Sequence, residues 1–97
     1  MRIGFSAKLW PYPGDGSWHF ITVPKKESEK VRGIAQKAKR GWGSVKVHAK
    51  IRKTVFATSV FPDTRSGTYL LPVKMSVRRT EGIDDGDLVK ITLELIS

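Results

Sequence analysis

The chain has 97 residues, of which 39% are hydrophobic and none is cysteine, and its 18 lysines and arginines against 9 acidic residues give a net charge of +9. That length admits one core and excludes a core plus a deep catalytic cleft, while the missing cysteines exclude disulfides, thiolate metal sites and a thiol nucleophile. No apolar run approaches the roughly 20 residues that cross a bilayer and Met1 to Phe5 opens no long apolar leader, so the expectation is a single cytoplasmic domain over 1–97, without membrane contact, as a monomer or weak oligomer.

Phe5 to Trp10 and Trp18 to Val23 read as two strands of a hairpin, because the loop Pro11-Tyr12-Pro13-Gly14-Asp15-Gly16-Ser17 between them is rich in chain-reversing residues. Phe20 and Thr22 point to one side of the second strand and Ile21 and Val23 to the other, which predicts cover on both faces, as in a closed barrel. Pro24 stops the strand and suits the first turn of a helix over 25–39. Val31, Ile34, Ala35 and Ala38 make one narrow apolar stripe on that helix. Glu27 and Glu29 favour its N-terminal end, Lys37, Lys39 and Arg40 its C-terminal end, and Gly41 a C-cap. Gly33 costs about 1 kcal/mol relative to Ala, which predicts close packing of the helix on a sheet at that point.

Val45 to Lys53 alternates without interruption, with Val45, Val47, Ala49 and Ile51 inward and Lys46, His48, Lys50 and Arg52 outward. A turn near Lys53-Thr54 leads to a strand over Val55 to Phe61, and the loop from Pro62 to Gly67 returns the chain through Thr68 to Leu71 as a second hairpin. After Pro72 a short helical turn over 75–81 ends at Gly82, and Ile83-Asp84-Asp85-Gly86-Asp87 bends into a last strand, Leu88 to Ile96.

The order hairpin, proline, helix, strand thus occurs twice. Val45-Lys46-Val47-His48-Ala49-Lys50-Ile51 aligns on Val89-Lys90-Ile91-Thr92-Leu93-Glu94-Leu95 at an offset of 44, and Phe20-Ile21-Thr22-Val23-Pro24 on Thr68-Tyr69-Leu70-Leu71-Pro72 at an offset of 48. Two halves, about 5–52 and 53–97, predict a mainly β fold: a pseudo-twofold barrel of about six strands with one substantial helix and one short one.

Leu70 through Ile91, with its strand ending at Pro72, the pair Arg78-Arg79 and the bend Gly82-Ile83-Asp84-Asp85-Gly86-Asp87, resembles the AbrB/MazE group of swapped-hairpin transcription regulators. Over its full length the chain is similar to the uncharacterised domain often found at the N-terminus of YdeI/OmpD-associated proteins. The landmarks are Phe5-Ser6-Ala7-Lys8-Leu9, Trp18 to Pro24, Phe56 to Pro62, Tyr69 to Lys74, and Val77-Arg78-Arg79 to Gly86-Asp87. That resemblance implies a double-split β-barrel built of two AbrB-like halves and carries no catalytic residues.

His19 and His48 fall in strands, and no base and orienting acid surround Ser6, Ser44, Ser59 or Ser66, so the domain reads as non-enzymatic. Asp84, Asp85 and Asp87 lack the remaining positions of a calcium loop and read as a turn. Gly41-Trp42-Gly43-Ser44 follows a helix instead of opening one and cradles no phosphate. Neither metal nor cofactor is assigned.

The charge is the informative feature. Eleven of the cations lie between Lys25 and Lys53 against Glu27 and Glu29, and the rest of the chain sums to zero. Cations that neutralise phosphates give salt-sensitive affinity without sequence preference, and an aromatic ring beside them stacks on unpaired bases. Nucleic acid is therefore the first candidate partner, with Lys26, Lys30, Lys37, Lys39, Arg40, Trp42, Lys46, Lys50, Arg52 and Lys53 as the candidate contacts on a one-sided basic surface. The alternative is a protein-binding or small-ligand module using Trp10, Tyr12 and Trp18 at the barrel mouth, or Trp42. The plain reading of the same charges is a solvated surface that confers solubility.

Overall fold

In the computed structural model, which describes residues 1–14, 16–37 and 43–96, the alternating segments form six strands and the segment of helical period a helix. In chain order these are β1 (Arg2–Pro11), β2 (His19–Val23), α1 (Lys25–Lys37), β3 (Val45–Ile51), β4 (Thr54–Asp63), β5 (Thr68–Pro72), α2 (Met75–Glu81) and β6 (Leu88–Leu95). Every neighbouring pair is antiparallel, and the ring closes in the order β1-β2-β5-β4-β3-β6. The ring closes through strands that change partner along their length: β1 pairs with β6 over Arg2 to Lys8 and with β2 over Leu9 to Pro11. The inward residues, among them Ile21, Val47, Ile51, Leu71 and Ile91, lose all contact with solvent and supply the hydrophobic stabilisation of the fold.

The repeat is visible in the register. Ala49 of β3 stands opposite Leu93 of β6, and these two are counterparts in the alignment of the halves. On the other side of the barrel Thr22 of β2 stands opposite Leu70 of β5, again counterparts. A pseudo-twofold axis therefore enters the barrel through one pair and leaves through the other, which makes the two halves equivalent by geometry as well as by sequence.

The helices cover the barrel by the residues their periodicity selects. Ser28, Val31 and Ala35 of α1 are buried and Ile34 is partly so. Ala38, expected on the same stripe, and Gly41, expected as the cap, lie outside the described residues. The carbonyl of Pro24 accepts from the Ser28 amide at 2.8 Å and so closes the first turn of α1. At the other end of the chain, α2 buries Val77 and stops at Gly82, whose φ of 62° and amide bonds to the Arg78 and Arg79 carbonyls form a left-handed C-cap.

Three local expectations are corrected. β1 begins at Arg2, earlier than Phe5, because Arg2 to Lys8 pairs along β6, a partner remote in sequence. Arg52 leaves the outward row of β3: with Ile51 opposite Thr54, Arg52 and Lys53 make a two-residue turn, and Arg52 takes φ 54°, a conformation glycine usually supplies in such hairpins. Gly33 is not forced by contact with a sheet, since a Cβ there would meet no atom of the described residues within 4 Å beyond its chain neighbours and its own helix backbone.

Candidate functional site

The outer rows of β3, β6 and β1 form one charged face. Lys46, His48 and Lys50 project from β3, Lys90, Thr92 and Glu94 from β6, and Arg2, Ser6 and Lys8 from β1. His48 is opposite Glu94, Lys50 opposite Thr92, and Arg2 opposite Glu94. Lys90 is the diagonal neighbour of Lys50, a separation that long side chains span. Glu94 is held by Arg2, whose Nη2 and Nε donate to Oε2 at 3.1 and 3.2 Å. That pair cancels itself, leaving Lys46, Lys50, Lys90 and Lys8 to set the sign of the face.

The candidate cations among the described residues come from two elements and a turn. Lys26, Lys30 and Lys37 are exposed on α1, which packs against β5, and β4 separates β5 from β3 in the ring. Lys53 is exposed in the β3–β4 turn. Its neighbour Arg52 donates through Nη1 to the Glu81 carbonyl, and Thr54 Oγ1 donates to Glu81 Oε2, so Arg52 also pins the turn to the end of α2. Lys39, Arg40 and Trp42 lie outside the described residues. Lys90 and Lys8 fall outside the Lys25 to Lys53 segment, in a part of the chain whose charges sum to zero, so charge clustering along the sequence does not select them. The signal was present, since Lys90 is the counterpart of Lys46 in the repeat.

A second feature is apolar. A groove of about 560 Å³ opens between β4, the start of β2 and the β5–α2 junction, lined among others by Trp18, His19, Phe61, Lys74 and Met75. It exists because β4 changes partner: Val55 to Val60 pairs with β3, whereas Phe61 to Asp63 pairs with β5, and the strand splays from β5 in between. Trp18 and Phe61 also line an adjoining hollow with Tyr12, Phe20 and Leu70. Trp18 stacks on Phe20 at 9° with centroids 6.0 Å apart, Tyr12 meets Phe20 edge-on at 6.0 Å, and Trp10 tilts against it at 5.4 Å. Tyr12, Trp18, Phe61 and Met75 are about half exposed. Trp10 is held under this cluster, its Nε1 donating to Thr22 Oγ1 at 2.9 Å.

His19 sits at the groove wall with its side chain 11% exposed, its Nε2 2.9 Å from Asp85 Oδ1. This joins the first residue of β2 to the bend before β6. In that bend Asp87 Oδ2 accepts from the Asp84 amide at 2.8 Å, Gly86 has φ 86°, and its amide donates to the Leu9 carbonyl at 2.8 Å. Asp87 thus closes the turn with its carboxylate, while Asp85 reaches His19. His19 and Asp85 lie far apart in sequence, so nothing short of the fold could pair them.

Among the described residues no helix is long and apolar enough to cross a membrane. The family model described as Domain of unknown function (DUF1905) matches residues 5–93, and the chain belongs to that family. No curated protein matches the chain.

Proposed function

For this member of a family without an assigned function, we propose a non-enzymatic binding module that takes nucleic acid on one side of its barrel. The observation that carries this reading is the outer face of β3 and β6, where Lys46, Lys50 and Lys90 are exposed and Glu94 is occupied by Arg2. Such a face attracts a polyanion by releasing its condensed counterions, with affinity that falls as salt rises. The likeness of Leu70 to Ile91 to swapped-hairpin regulators points the same way. The face draws on both halves: Lys46 and its counterpart Lys90 carry like charge, whereas Lys50 is matched by Glu94.

The test is a set of binding isotherms for duplex and single-stranded oligonucleotides at several salt concentrations, with wild type and the triple variant K46E/K50E/K90E. These three residues are exposed on strand surfaces, whereas Arg52 holds α2 and would confound the result. The triple variant is expected to lose binding at moderate salt and to flatten the log K against log salt slope by about 3. No binding by the wild type at low ionic strength refutes the reading. A protein-binding or small-ligand role is the second reading, and the exposed rings around the groove support it.

A further inference from the structure

We infer that the groove between Trp18, Phe61 and Met75 receives an unpaired nucleobase, so that the polymer held by the basic face is single-stranded; this rests on the nucleic-acid reading above. The first support is the ring geometry. Trp18 is backed by Phe20 in a parallel stack and is still 54% exposed, and Phe61 across the groove is 47% exposed. A ring fixed on one side and open on the other is a platform for a planar base, whatever the base's identity.

The second support is where the cations stand. Ala57 and Thr58 of β4 line the groove, and β4 is also the strand paired with β3, with Val55 opposite Lys50, Ala57 opposite His48 and Ser59 opposite Lys46. Paired strands lie about 4.8 Å apart, so the lysine row begins one strand beyond the groove wall. Lys74 lines the groove itself. A base seated there therefore has cations on both sides for the phosphates that flank it. The volume of about 560 Å³ lies within the range of sites for small planar ligands. A duplex, by contrast, cannot deliver a base to this site without unpairing and unstacking it. An apolar peptide could fill the same space but would leave the lysines around it without a role.

The experiment measures anisotropy of labelled oligo(dT), oligo(U) and a duplex of equal length against wild type, Trp18→Ala, Trp18→Phe, Phe61→Ala and the lysine triple variant, with thermal unfolding of each. Wild type is expected to favour single strands. Trp18→Ala and Phe61→Ala should each weaken single-strand binding roughly 5- to 150-fold, the factor a lost base stack implies. Duplex binding should be unchanged, and Trp18→Phe should retain most of the affinity. The two homopolymers distinguish DNA from RNA. Single-strand affinity unchanged in both ring-deletion variants, with binding still lost in the lysine variant, overturns the stacking site and leaves the basic-face reading standing. Absence of binding to every oligonucleotide overturns both. Because both rings are half exposed, their removal opens no core cavity; if a deletion variant nonetheless unfolds, loss of the duplex discrimination in the other decides.

Discussion

Ser28 shows how much a single side chain can join in this small barrel. It is 1% exposed, and its Oγ donates to the Val23 carbonyl at 2.9 Å while accepting from the Tyr69 amide at 3.0 Å. Val23 and Tyr69 are opposite each other at the end of the β2–β5 ladder, so the hydroxyl completes the pairing there and ties α1 to both strands. Ser28→Ala leaves the Tyr69 amide without that acceptor in a dry site and is expected to cost about 1 to 3 kcal/mol, read from urea denaturation. Burial raises the Tyr69 phenol above its ordinary value, opposed in part by the Arg32 guanidinium. The folded state thus holds this proton more tightly than the unfolded chain. The resulting stability is full below the unfolded value of about 10 and is lost as pH rises from there through the folded value. Stability measured from pH 9 upward should fall less steeply in Tyr69→Phe than in wild type.

Helix α1 offers an opposite case, a residue the fold does not use. A methyl group at Gly33 would meet no atom of the described residues within 4 Å beyond its chain neighbours and its own helix backbone, and the residue lies inside a helix, so Gly33→Ala should stabilise the protein by about 0.5 to 1 kcal/mol, visible as a raised Tm. The sequence alone suggested the reverse, because a glycine in a helix is ambiguous between close packing and simple absence of a side chain. Where a pattern has one physical cause it was readable: the alternation of β3 and the proline and glycine limits of α2 placed those elements correctly. The candidate site was half readable. Exposed lysines on alternate positions and the rings of Tyr12 and Trp18 follow from local pattern. The groove does not, because it arises where β4 exchanges β3 for β5, and the addition of Lys90 to the basic face requires knowing that β6 lies beside β3. Arg52 reads as a strand residue for a local reason: the alternation continues one residue past the last paired position.

For the molecule as a whole, the basic surface occupies one side of the ring and the aromatic cluster another, with β4 shared between them. The core behind both is continuous, so stability and binding can be altered separately by choosing outward or inward residues. Leu93 is inward and without solvent contact, and Leu93→Ala should cost about 2 to 5 kcal/mol in equilibrium unfolding while leaving the charged face unaltered. Its partner across the pseudo-twofold axis is Ala49, also fully buried. A protein assembled from two identical copies of one half would have to place like against like at this spot. Two alanines would leave a void and two leucines would collide. Similarly, Thr22, which accepts the Trp10 indole proton, lies opposite Leu70, and neither residue could serve both sides. In a single chain the positions on the axis need not be self-complementary. At the axis a large residue is fitted to a small one, Leu93 to Ala49, so each half is shaped to the other and not to a copy of itself.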